Sequence, residues 1–303
     1  MVSTQEFAYG WVTPALAYGV SVLGSLLGLV CASRAREGRT PARRAGWLTL
    51  AAISIGGTGI WLMHFLGMLG FAVNGTDVRY TIGLTVLSAV LAIVVVGVGL
   101  AILGTGEPRV YRVSLGGLFT GLGVAGMHYT GMAAMRVRGT VGYDPVLVVL
   151  SIVVAVVAAT AALWFTIVAR DSLAIAGAAL IMGVAVNGMH YIGMYALQVK
   201  LDHVHDTAEG VDLTSALPIT AGVAGIVVVL LLYATLTIPA DEDAMLPVEP
   251  YQPTNGWAEP LVWAAREHPE TGTANQRATT DTGAHRAPED VTPAKSGRRQ
   301  SRS

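Results

Sequence analysis

The sequence predicts an all-α integral membrane protein with seven transmembrane helices, built as three two-helix repeats plus one further helix. Three observations predict it: seven apolar stretches long enough to cross a bilayer, a charge imbalance between their connectors, and a histidine-centred motif that returns at an almost constant interval. Of 303 residues, 53% are hydrophobic and 13% charged, and the mean hydropathy is +0.56. Soluble domains carry about 25% charged residues. The deficit lies in residues 11–238, whereas 239–303 are polar. The chain therefore divides into a short external N-terminus (1–10), a membrane domain (11–238) and a cytoplasmic tail (239–303).

In chain order the spans fall at 11–32, 46–70, 81–103, 113–135, 146–168, 172–197 and 215–238. Each can cross about 30 Å of hydrocarbon at about 1.5 Å per residue. The opening residues, MVSTQEFAYG, have no basic cluster and include Glu6, so the first span is expected to stay rather than be cleaved as a signal. Arg34, Arg36, Arg39, Arg43, Arg44, Arg109, Arg112 and Arg170 occupy the connectors on one side, against Arg79, Arg136, Arg138 and Lys200 on the other. The excess of positive charge marks the cytoplasmic face, with the N-terminus outside and the tail inside the cell membrane. Trp11, Trp47, Tyr80, Tyr111, Tyr143, Trp164, Tyr195 and Tyr233 fall near span ends, where an interfacial aromatic belt sits. Cys31 is the sole cysteine, which excludes a disulfide framework and a thiolate metal cage.

Three stretches repeat one another: "GTGIWLMHFLGM" (57–68), "GLGVAGMHYTGM" (121–132) and "GVAVNGMHYIGM" (183–194). Their histidines, His64, His128 and His190, are 64 and 62 residues apart. A fixed period signals a repeat architecture, here about 11–70, 81–135 and 146–197, with 215–238 left over. Each unit has an even number of spans, so the motifs point the same way through the bilayer and the histidines can meet around a pseudo-threefold axis. At about 100° per residue, Gly57, His64, Gly67 and Met68 share one helix face, as do their counterparts Gly121, His128, Gly131, Met132 and Gly183, His190, Gly193, Met194. Met63, Met127 and Met189 lie at the edge of that face. Each histidine is beyond its span's midpoint, about 6–9 Å toward the outside.

With "MHYT" itself at 127–130 and three copies in register, residues 7 to about 238 resemble the MHYT-domain family of bacterial membrane proteins. The resemblance implies a sensor of a diatomic gas (oxygen, carbon monoxide or nitric oxide) or of redox state, with copper held near the outer face by the motif's Met and His residues. The first and third copies depart from the tetrapeptide, reading "MHFL" and "MHYI", so Tyr129, Tyr191 and Thr130 are not equivalent members of a threefold site. The donor chemistry agrees: imidazole suits copper, zinc or iron, and soft thioethers favour Cu(I). The candidate metal ligands are thus His64, His128, His190, Met63, Met127, Met189, Met68, Met132 and Met194. Ser54, Thr58, Thr120 and Asn187 are candidates to steady the imidazoles through their second nitrogens.

Two other readings compete. Haem could be held by two of the three histidines, and a small transporter or channel-like protein could line a path with the polar seam. Closure of the inner half around Val22, Ile53 and Leu84 would count against the second. No nucleophile–base pair, phosphate loop or carboxylate dyad points to an enzyme. The Arg-rich loop 33–44 reads as topology and lipid contact rather than nucleic-acid binding. His203 and His205 lie between Asp202 and Asp206 in an outer loop that reads as acidic and solvated, with metal capture as the alternative. Segment 239–303 holds eight of the thirteen prolines and is expected to be disordered. It is too short for the diguanylate cyclase or phosphodiesterase domains that often follow this module in the family, so output is expected through a signalling partner.

Overall fold

Three of the helix starts follow from their capping residues. Thr40, Asp144 and Asp171 each accept a hydrogen bond from a backbone N–H of the first turn, and Pro41 and Pro145 supply pre-set first positions. The computed structural model describes residues 4–5, 9–73, 78–104, 110–200 and 210–237. It contains α1 (Val12–Glu37), α2 (Pro41–Leu69), α3 (Ile82–Gly104), α4 (Val110–Ala133), α5 (Pro145–Val168), α6 (Ser172–Tyr195) and α7 (Leu213–Thr237). Arg109, the His203/His205 pair and the tail 239–303 lie outside the described residues.

Five helices, α1, α2, α3, α5 and α6, are long and apolar enough to cross a membrane, with mean hydropathies of 1.4 to 3.0. The protein is thus a mostly helical, multi-pass membrane protein. α4 is as long as α5 and α6 but is not among the five, because six glycines, Arg112 and His128 dilute its apolar content. Within α7 the stretch Gly225–Thr237 is a shorter apolar helix.

The helices close a ring. α1 packs on α2 and α6, α3 on α2 and α4, and α5 on α4 and α6, while α7 lies on α1 and α2. Small residues let these backbones touch. Gly24 of α1 abuts Gly59 of α2, Ser54 Oγ donates to the Gly24 carbonyl at 2.8 Å, and a Cβ on Gly121 would lie 2.9 Å from the Ala155 carbonyl oxygen. Outward faces are apolar: Val86, Val90 and Val94 on α3, Val149, Val153 and Val157 on α5, and Ile181 and Val184 on α6 are all exposed. The interior, by contrast, buries Ser21, Ser25, Ser54, Ser88 and Ser151. Apolar out and hydroxyl in is the arrangement lipid requires.

One irregularity breaks the threefold likeness. Within α2, Ile53–Leu62 is wound as a π-helix, whereas α4 and α6 are α-helical throughout. The wider winding absorbs one extra residue. Gly121, seven places before His128, packs against Ala155 of α5, whereas Gly56, eight places before His64, packs against Ala92 of α3 with its carbonyl oxygen 2.6 Å from a built Cβ. Gly57, which the sequence aligns with Gly121, meets only the Ile93 side chain at 3.6 Å. The uniform 100° wheel therefore mis-assigned Gly57, and Gly56 is the structural counterpart.

Short antiparallel strands, absent from the sequence reading, join the connectors at the histidine end. β1 (Thr4–Gln5) pairs with β2 (Ala72–Val73), β3 (Arg79–Tyr80) lies between β4 (Met135–Arg136) and β7 (Val211–Asp212), and β5 (Thr140–Tyr143) pairs with β6 (Leu197–Lys200). Two apolar clusters result. The larger fills the ring from Leu27 and Trp47 to Met127 and Met189, and the smaller joins Phe65, Met68, Met132 and Met194 to Val73, Tyr80, Met135 and Val199 of the strands. Val22 packs into the first, but Leu84, grouped with it in the sequence reading, belongs to the second and sits at the end that carries the strands.

Candidate metal centre

α2, α4 and α6 each deliver a histidine little more than one turn before their C-terminal ends. His64, His128 and His190 are fully buried, and their Nδ1 atoms converge: His64 to His190 at 3.0 Å and His64 to His128 at 3.1 Å. Ring centroids are 4.8, 5.0 and 5.3 Å apart, and every pair meets edge to face. They form the single His/Cys/Asp/Glu group among the described residues whose ligand atoms all lie close enough for one ion.

The opposite nitrogens point away from this centre, and glycine receives each of them. His64 Nε2 lies against Gly131, His128 Nε2 against Gly193 and His190 Nε2 against Gly67. A Cβ at these glycines would come within 2.8 to 3.1 Å of the ring's Cδ2 and nearer still to Nε2. The seating is cyclic: unit one lends its ring to unit two, two to three, and three to one. The motif's His-x-x-Gly spacing is thus a lock whose two halves work on different neighbours.

A neutral imidazole offers one N–H and one lone pair. Three converging Nδ1 atoms are satisfied at best by one N–H shared between two acceptors, or by a cation that takes all three lone pairs. Imidazole nitrogens bind zinc at about 2.0–2.1 Å, which puts nitrogens of a tetrahedral site about 3.3 Å apart. The observed contacts need only a small opening to reach that spacing. Two axial nitrogens of a haem, by contrast, stand on opposite sides of a flat macrocycle, and rings in hydrogen-bond contact leave no slot for one. The residues present therefore fit a single ion and not haem.

The methionines divide into two tiers. Met68, Met132 and Met194, one turn beyond the histidines, are buried in the smaller cluster beneath the strands. Met63, Met127 and Met189, each just before its histidine, are buried as well, with Met127 and Met189 in the larger core. Three of the four polar side chains proposed to steady the imidazoles are engaged elsewhere, and Thr58 is buried within α2. Ser54 donates to Gly24 O, Thr120 to Val95 O at 3.4 Å, and Asn187 Nδ2 to Gly183 O at 2.8 Å. Each ring instead meets its own following aromatic edge to face, Phe65, Tyr129 or Tyr191, at 4.9–5.2 Å between centroids.

Comparison with known proteins completes the picture. The MHYT family, described as a bacterial signalling protein N-terminal repeat, matches residues 57–116, 121–179 and 183–243. These matches phase the repeat from one motif helix through the next connecting helix. Of curated proteins, the bifunctional diguanylate cyclase/cyclic di-GMP phosphodiesterase MucR of Pseudomonas aeruginosa is 41% identical over 201 residues, 64% of this chain and 29% of its own. The cyclic di-GMP phosphodiesterase NbdA of the same organism is 34% identical over 65% of this chain and 25% of its own. The signalling protein YkoW of Bacillus subtilis is 31% identical over 52% of this chain and 20% of its own. The matched segments thus span under a third of these relatives. No solved structure matches the chain.

Proposed function

Because this chain belongs to the MHYT family of bacterial signalling proteins, we propose that it is a sensor module of the cytoplasmic membrane which binds one metal ion, best suited to copper, through Nδ1 of His64, His128 and His190. The observation that carries the reading is that His64 Nδ1 lies within hydrogen-bond distance of Nδ1 of both His128 and His190 while every Nε2 is turned into a neighbouring unit. A bound copper ion would supply a redox couple and an open coordination position for a diatomic ligand such as O2, CO or NO. The chain's own part is to fix three neutral donors, to exclude water with the outer cluster, and to offer thioethers from Met68, Met132 and Met194 on the outer side, with Met63, Met127 and Met189 on the inner.

In this reading all seven helices span the membrane, with the N-terminus outside and the Arg-rich connectors inside. The end that carries the strands carries the histidines, and Arg34, Arg36, Arg43, Arg44 and Arg170 sit at the other, which supports the orientation. Arg36 donates to the Thr166 and Ala169 carbonyls, closing the C-terminal end of α5. The module itself catalyses nothing, and a change at the histidines is passed to a signalling partner through the packing of α2, α4 and α6. The apolar filling of the ring, from Leu27 to Leu103, supports a sensor over a carrier.

Elemental analysis and an absorption spectrum of detergent-purified protein test this. One copper per chain after Cu(I) loading, lost in His128→Ala and with no Soret band, is the expected result. Absence of copper after loading would overturn it.

A further inference from the structure

The structure assigns a second binding site to the axis of the ring, one turn inward of the histidines, for a single small apolar guest of the size of a diatomic gas or a xenon atom. A cavity of about 40 Å³ lies there, lined by side chains from all six ring helices. Its outer wall is threefold in sequence as well as in space: Ile60, Val124 and Val186 each stand four places before a histidine. One turn further in, Thr120 and Met182 stand eight places before His128 and His190, while Ile55 stands nine before His64. The extra residue is the one that the π-helical winding absorbs, so the irregularity of α2 keeps Ile55 level with its counterparts around the space.

The chemistry of the walls selects the guest. A water molecule needs about 10–15 Å³ of such space and two to four polar partners, and cavities lined by aliphatic side chains stay dry and take up xenon. Here the hydroxyls of Thr120 and Thr166 are turned to the carbonyls of Val95 and Leu163, at 3.4 and 2.6 Å, which leaves Ser25 as the one other polar side chain of the lining, short of the partners a water needs. The remaining lining is mainly Ala, Val, Ile, Leu and Met, and most of it is buried. The volume exceeds what one water needs, yet it is too small for a lipid chain or an organic cofactor. Ile60, Val124 and Val186 separate the guest from the imidazoles by one helical turn, about 5.4 Å along the axis. A gas held there is stored beside the histidines among mainly aliphatic side chains. Uptake of the guest stands on the cavity alone; its part in sensing rests on the metal reading above.

The experiment is xenon titration of the full detergent-solubilised chain, read on the methyl resonances of ¹³C-labelled methionine. Met182 and Met189, which line the space, are expected to shift saturably with xenon pressure, and Met135 in the outer cluster is not. Ala155→Leu, and independently Ala159→Leu, project into the space and are expected to abolish the shift while copper loading stays at the wild-type level. If wild type shows no saturable shift at Met182 and Met189, or if a folded filled variant shifts as wild type does, the site is refuted. Saturable xenon binding in a chain that takes no copper would refute the metal reading and leave the cavity assignment standing.

Discussion

Nε2 of His64 rests directly on Gly131, a residue of the next repeat, so the first unit's imidazole is held in place by the second unit's backbone. Alanine at 131 is expected to push the ring off its seat. Overpacking of this kind costs about 1–3 kcal/mol, and the displaced Nδ1 should lower copper loading below one per chain. Thermal denaturation in detergent and metal analysis check both. Gly188→Ala, whose new methyl meets open space, is the control and should change neither.

Removing one residue from the π-helical stretch should be tolerated. Deleting Gly57 leaves seven residues from Gly56 to His64, the same interval as Gly121 to His128, and α2 can then wind as a regular α-helix. Copper stoichiometry is expected to persist. Deleting Leu122 from α4, which has no surplus residue, turns His128 by about 100° against its packing glycine and should abolish loading.

The outer methionines give a third test. Met68→Leu, Met132→Leu and Met194→Leu conserve volume, so each should cost less than about 1.5 kcal/mol. X-ray absorption of the Cu(I)-loaded protein should lose sulfur scattering in the triple variant while nitrogen scattering from the histidines remains. An unchanged sulfur signal would remove this tier from the ligand set.

Tyr80 carries a pH dependence. Its phenol is buried with no hydrogen-bond partner among the described residues, and burial, reinforced by Asp212, raises its pKa above the usual tyrosine value. The unfolded chain titrates near pH 10, at about the ordinary value. The stability held by the neutral phenol is therefore complete below about pH 10 and is lost as the pH climbs from there toward the folded-state value. Tyr80→Phe should flatten much of that alkaline loss and be neutral or mildly stabilising at pH 7, since it deletes an unpaired hydroxyl. Melting curves between about pH 8 and 11 decide it; parallel losses in both proteins would refute the assignment. Tyr143, also raised by burial and by Tyr129, accounts for what slope remains.

The helices and the histidine trio were legible because both signals are local and periodic. Apolar length fixes a helix, and an identical spacing in three copies places His64, His128 and His190 at one depth. The seats were half legible: Gly67, Gly131 and Gly193 could be placed on the histidine face, but a helical wheel cannot say whose side chain lies on them. The π-helical stretch was hidden, since "GTGIWL" aligns with "GLGVAG" without a gap and only the contact between Gly56 and Ala92 shows the slip. The strands were hidden too, because pairs as short as Arg79–Tyr80 have no periodicity of their own and form only where loops distant in sequence meet. Arg79 and Arg136, two of the four positive charges on the less charged side, are cross-strand partners, and Arg136 Nε donates to Thr81 Oγ1 at 3.1 Å.

A unit that lends its ring forward and receives one from behind is never complete by itself. One alone has an empty seat and a homeless imidazole, and so do two in tandem. The circle closes at three. A gene encoding a single such hairpin would obtain the same centre only if its product gathered as a rotationally symmetric trimer, whereas three copies in one chain leave α2 free to differ from its siblings.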